Sequence, residues 1–117
     1  MRLTDAEIIK ILETLTAEAL RHKPTPSYGK IGTIKAMVDL GNEWRDYREI
    51  QRELGKYLKT GNVYVFDLMR IAPELIEKDD KNRVRIKPEV YPVVSQNINK
   101  YANKILKAIK LKKNSSL

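Results

Sequence analysis

The side chains with the most chemical reach in this chain are basic and grouped. Arg45 and Arg48 precede Lys59, Thr60, Asn62, Tyr64 and Arg70, and Lys81, Arg83 and Arg85 follow. Guanidinium and ammonium groups at this density suit phosphate oxygens. An Asn amide can pair with adenine, and an Arg fork can pair with guanine. The chemistry implied is recognition of a polyanion rather than bond making. The chain has no Cys and one His, His22. Thiolate nucleophiles, thiolate metal sites, disulfides and a His-based dyad are therefore out of reach within one chain. There is no Gly-rich phosphate loop, and the remaining carboxylates and lysines show no spacing that builds an acid–base pair. No enzyme activity, metal or cofactor is expected.

The elements that must position these groups are those of a small protein. At 117 residues, one domain is expected over residues 1–117. The hydrophobic fraction of 42% is ordinary for a globular chain. No apolar run is long enough to span a bilayer and no secretory segment follows Met1, so a cytoplasmic, nucleoid-associated location is the expectation. The net charge of +8 speaks to partners rather than fold. Residues 1–20 have a slight acidic excess, the middle is mixed, and residues 90–117 hold Lys100, Lys104, Lys107, Lys110, Lys112 and Lys113 with no acid.

Thr4 and Glu7 form a capping box, which predicts a helix to about Arg21 with Ile8, Ile11, Leu12, Leu15 and Ala19 as its apolar stripe. Pro24, Pro26 and Gly29 make residues 22–30 a loop. Thr33 is the expected cap of a second helix that ends at Gly41. Asp46 and Glu49 form a second capping box, opening a helix that bears Ile50 and Leu54. Thr60 starts the candidate recognition helix, with Val63, Phe66 and Ile71 inward and Asn62, Tyr64, Asp67 and Arg70 outward; Pro73 ends it. Residues 62–66 are β-branched and aromatic and also fit a strand. Alternation on either side of residues 79–82 predicts a hairpin with Ile76, Val84 and Ile86 on its buried face. Pro92 opens a last helix whose stripe is Val94, Ile98, Tyr101 and Ile105. Trp44 and Tyr47 read as packing residues rather than a base-stacking platform.

The fold class expected is mainly α with a small β-hairpin wing (α+β), a winged helix-turn-helix with additional N- and C-terminal helices. Residues 33–88 resemble the winged helix-turn-helix superfamily in its ArsR/MarR/PadR-like style. The resemblance rests on Thr33-Ile-Lys-Ala-Met-Val-Asp-Leu-Gly, Tyr47-Arg-Glu-Ile-Gln-Arg-Glu-Leu-Gly, Thr60-Gly-Asn-Val, and Leu75-Ile-Glu with its hairpin. It implies a homodimer joined through the terminal helices, residues 1–22 and 90–112, with one recognition helix per major groove. Ile8, Leu12, Leu15, Val94, Ile98, Tyr101 and Ile105 are then the dimer-interface candidates. Two departures stand out: the segment between Gly55 and Val63 is longer than the usual tight turn, and the Cys or His clusters of the metal-sensing branch are missing.

Two functions follow as expectations. The first is sequence-specific binding of double-stranded DNA, by a transcriptional regulator or by an adaptor in plasmid or viral DNA segregation. Arg45, Arg48, Lys59, Thr60, Asn62, Tyr64 and Arg70 would read or clamp the duplex, and Lys81, Arg83 and Arg85 would hold its backbone from the wing. The alternative is a winged-helix module whose partner is a second protein. Asp67 and the apolar run through Phe66 favour that alternative, and the wing arginines and net charge favour DNA.

Overall fold

A computed structural model describes residues 2–58 and 64–115. The chain is mainly α with a small antiparallel hairpin. Helix α1 (Asp5–Arg21) begins at the capping box. The Thr4 hydroxyl accepts from the Glu7 N–H at 3.1 Å, and the Thr4 N–H donates to Glu7 Oε1 at 2.9 Å. Spacings of four and three then carry Ile8, Leu12 and Leu15 to one buried face.

Helix α2 (Gly29–Leu40) starts a turn earlier than the sequence predicts. Thr33 is not its cap but a buried interior residue, whose hydroxyl donates to the Gly29 carbonyl at 2.6 Å. A threonine can satisfy itself this way inside a helix as readily as at its end. Gly41, at φ +97°, stops α2 where a side chain would be strained.

Helix α3 (Tyr47–Leu54) is capped by Asp46, whose carboxylate accepts from the Arg48 N–H at 2.8 Å. The reciprocal half of the predicted box is not made; Glu49 faces Arg45 instead, at 3.4 Å. Ile50 and Leu54 are its buried pair. Helix α4 spans Val65–Ile71. Lys59, Thr60, Gly61, Asn62 and Val63 lie outside the described residues, while Val65 and Phe66 are helical rather than extended. The inward residues of α4 are Val65 and Leu68, not Phe66 and Ile71, which are 49% and 42% exposed. The predicted phase is thus off by one position.

Strands β1 (Ile76–Lys78) and β2 (Val84–Ile86) pair antiparallel, with Ile76 opposite Ile86 and Glu77 opposite Arg85. Ile76, Val84 and Ile86 are buried, as the alternation requires. At the tip, Asp79 accepts from the Lys81 and Arg83 N–H groups at 2.9 and 2.8 Å, and Asn82 sits at φ +63°. An aspartate folded over its own turn and an asparagine in the left-handed region are the residue types such a turn favours. The outer edge of β2, at its turn-proximal end, is tied to the chain before α3. Arg45 and Val84 exchange both backbone hydrogen bonds, at 2.9 and 2.8 Å.

Helix α5 (Tyr91–Ser115) packs along α1 and α2. The Tyr91 hydroxyl donates to the Val38 carbonyl at 3.4 Å, and Lys35 donates to the Asn99 amide oxygen at 3.1 Å, so α2 and α5 run antiparallel. Ile8, Leu12, Leu15, Val94, Ile98, Tyr101 and Ile105 are all buried within this one chain. The resemblance makes them dimer-interface candidates; in the structure they are core residues of a single chain.

Tyr28 shows what that core does to a polar group. Its ring is buried 5.9 Å from that of Tyr57, and its hydroxyl has no hydrogen-bond partner among the described residues. Burial, reinforced by Tyr57 and Asp39, pushes the phenol up to about 12. A pKa raised on folding leaves stability intact below the unfolded value. That stability is then lost as pH climbs from about 10 through the folded value. Alkaline titration followed by phenolate absorbance should show one tyrosine ionising late, near pH 12. Tyr28→Phe should remove that phase with little loss of stability at neutral pH, because the deleted hydroxyl is unsatisfied.

Candidate nucleic-acid interface

The basic residues singled out in the sequence fall into three groups once their partners are known. The first group is structural. Arg45 donates to the Leu40 carbonyl and lies 3.6 Å from Glu43 and 3.4 Å from Glu49, so it fixes the end of α2 to the start of α3. Arg85 is half-buried, 3.4 Å from Glu77, with its guanidinium 4.2 Å from the centre of the Trp44 ring. Tyr64 is tucked against α2 rather than turned outward, because a Cβ built on Gly29 would fall 2.2 Å from its ring. These three are not placed to touch a duplex.

The second group is held but partly exposed. Arg83 donates from Nε to Asp79 at 2.8 Å. Partial burial works against the Asp79 carboxylate, but hydrogen bonds from Arg83 and from the Lys81 N–H outweigh it and keep the carboxyl below its ordinary range. Arg83 thus stiffens the turn.

The third group is available. Arg70 pairs with Asp67 at 3.4 Å, and Arg48 with Asp46 at 3.8 Å, but both guanidinium groups are about three-quarters exposed. Such exposed pairs are worth about 0–1 kcal/mol, so either arginine can exchange its carboxylate for a phosphate at small cost. Arg52 and Lys81 are exposed and have no carboxylate partner among the described residues. Lys81 stands at the wing tip. Arg52 lies on α3, four residues on from Arg48, and the sequence also offers it as a phosphate clamp around this helix.

The outer face of α4 is mixed. At a helical turn of about 100° per residue, Arg70 lies most nearly opposite the buried Val65 and Leu68, with Phe66 and Asp67 to either side of it and Ile71 at the flank. Phe66 rests 5.9 Å from the Tyr47 ring, and Arg48 lies 5.7 Å from that same ring. This is a small aromatic and cationic cluster at the junction of α3 and α4. Tyr47 packs against Phe66, and Trp44, outside this cluster, lies beneath Arg85.

Charge is less concentrated here than the sequence implied. Residues 43–87 carry eleven basic and nine acidic side chains. Among the described residues no three His, Cys, Asp or Glu side chains are grouped to hold a metal ion, and no helix is long and apolar enough to cross a membrane. An open groove of about 570 Å³ lies between α1 and α4, lined by Leu3, Ile11 and Ile71 together with Glu7, Lys10 and Glu18. No protein-family model, no curated protein and no solved structure matches the chain.

Proposed function

We propose that this protein binds double-stranded DNA, as a regulator of transcription or a DNA-segregation adaptor, with α4 offered to the major groove and the hairpin to the sugar–phosphate backbone. The observation that carries the reading is the arrangement of α3, α4 and the hairpin. It places Arg70 on an exposed short helix and Lys81 at the exposed tip of a stiffened turn. A helix of this width fits the major groove, and cations set to either side of it fix register on phosphates. No group in the site calls for catalysis, and the role is one of binding.

The two cations should behave differently. Arg70→Ala should reduce the preference for a selected site over random duplex by about 1–3 kcal/mol if the arginine grips a guanine. Lys81→Ala should weaken both duplexes by similar factors and flatten the salt dependence by about one unit of slope. Competition binding after selection from a random pool measures both. Equal effects of the two variants on specificity would end this division of roles.

One observation favours a different partner. Phe66 and Ile71 are large apolar side chains exposed on the same short helix, next to Asp67. That composition suits a protein surface better than a phosphate-lined groove. Unchanged duplex affinity in Arg70→Ala, Lys81→Ala and Phe66→Ala alike would favour a protein-interaction module instead.

A further inference from the structure

The net charge of the chain is +8, and residues 91–117 alone contribute six of it, with six lysines and no acid. The winged region holds nearly as many carboxylates as cations, and most of its arginines are paired. The charge that would attract a polyanion is therefore concentrated on α5, outside the site proposed above.

The placement of these lysines is ordered. Val94, Ile98, Tyr101 and Ile105 define the buried face of α5. At about 100° per residue, Lys107 and Lys110 fall about 30° to either side of the opposite direction, Lys100 about 50° from it, and Lys104 lies at the flank. All four are exposed, and none has a carboxylate partner among the described residues. Lys100 only leans over the Tyr101 ring, at 5.1 Å. Four like charges within ten residues, about 15 Å of helix, repel one another and leave the helix less stable than an alternating pattern would. The helix dipole favours cations only in the last turn, which explains Lys112 and Lys113 but not Lys100, Lys104 or Lys107.

We propose that the outer face of α5 is a second polyanion-binding surface that holds the backbone of a duplex nucleic acid without reading its sequence. One cation about every 5 Å meets a duplex strand that offers a phosphate about every 3.4 Å along its axis, so each lysine can reach its own phosphate. A membrane surface is the weaker match. An interfacial helix needs a free apolar face, whereas that of α5 is already sealed against α1 and α2. Leu111, 61% exposed, is the one large apolar side chain on the outer face among the described residues.

The test is the full-length chain carrying Lys100→Gln, Lys104→Gln, Lys107→Gln and Lys110→Gln together, beside the corresponding four-arginine variant. The glutamine variant should melt like the native protein, since all four positions are exposed. Its affinity for random-sequence duplex should fall roughly tenfold to a hundredfold at low salt. Its plot of log affinity against log salt should be flatter by about 3–4 units, at about 0.9 per phosphate released. The arginine variant should bind as the native protein does, because the charge is kept. An unchanged slope in the glutamine variant overturns the proposal. So does retained duplex binding with lost flotation on vesicles of phosphatidylcholine and phosphatidylserine, which would assign the face to lipid. Failure of the α4 reading is distinguishable, because Arg70→Ala and Lys81→Ala would then leave affinity and specificity intact while the lysine variant still lost both affinity and slope.

Discussion

Ile98→Glu should unfold the protein rather than dissociate it. Ile98 has no exposed surface and lies midway along the face that α5 turns to α1 and α2. Removing such a side chain to alanine costs about 2–5 kcal/mol through lost burial and the cavity left behind. A glutamate adds an ionisable group with no partner in an apolar surround, which either stays charged at high cost or takes up a proton at a smaller one. The combined cost approaches the whole stability of a small domain, about 5–15 kcal/mol. Thermal melting by circular dichroism should therefore show no cooperative transition in Ile98→Glu and a transition lowered by many degrees in Ile98→Ala. A folded Ile98→Glu chain that merely sedimented as a smaller species would restore this residue to a subunit interface.

Gly32→Ala should destabilise the protein even though alanine is the better helix former. A Cβ at this position would fall 2.3 Å from Cε2 and 2.5 Å from Cδ2 of Tyr28, and 2.8 Å from Cδ1 of Leu54. Both neighbours are almost fully buried, so neither has free volume to move into. Relieving the overlap means shifting the Tyr28 ring or pushing α3 away from α2. Overpacking of this kind costs about 1–3 kcal/mol, against a propensity gain of about 1 kcal/mol for replacing glycine within a helix. The steric effect wins. Urea denaturation should show a lower midpoint at unchanged slope, and a stabilised variant would mean that α2 and α3 are not this closely packed.

What could be read from the sequence was local. Thr4 with Glu7, Gly41 after α2, Asp46 before α3, and the alternation of Ile76, Val84 and Ile86 each depend on residues within a few positions, and each stands in the structure. The phase of α4 was not local. Val-Phe-Asp-Leu-Met-Arg-Ile offers apolar residues in two helical registers, and a helix of seven residues is too short for periodicity to choose. The choice is made by what α2 and the hairpin leave open. The stripe on α5 has the same ambiguity at larger scale. A heptad-like spacing marks a face to be buried without saying whether another helix of the same chain or a second chain buries it. For the candidate site, residue type identified which groups could bind a phosphate but not which were already engaged. The carbonyl of Leu40 and the Trp44 ring claim Arg45 and Arg85 through contacts that no spacing rule foresees.

The double hydrogen bond between Arg45 and Val84 has a mechanical consequence. A two-stranded hairpin standing alone is marginal in water and would swing about its base. Here β2 is clamped beside the turn, well away from that base, to the segment leading into α3, so the hairpin inherits the orientation of the helix pair instead of sampling its own. The angle between Lys81 and Arg70 is thereby largely fixed before any ligand arrives, and the entropy of aligning the two is lost during folding rather than during association.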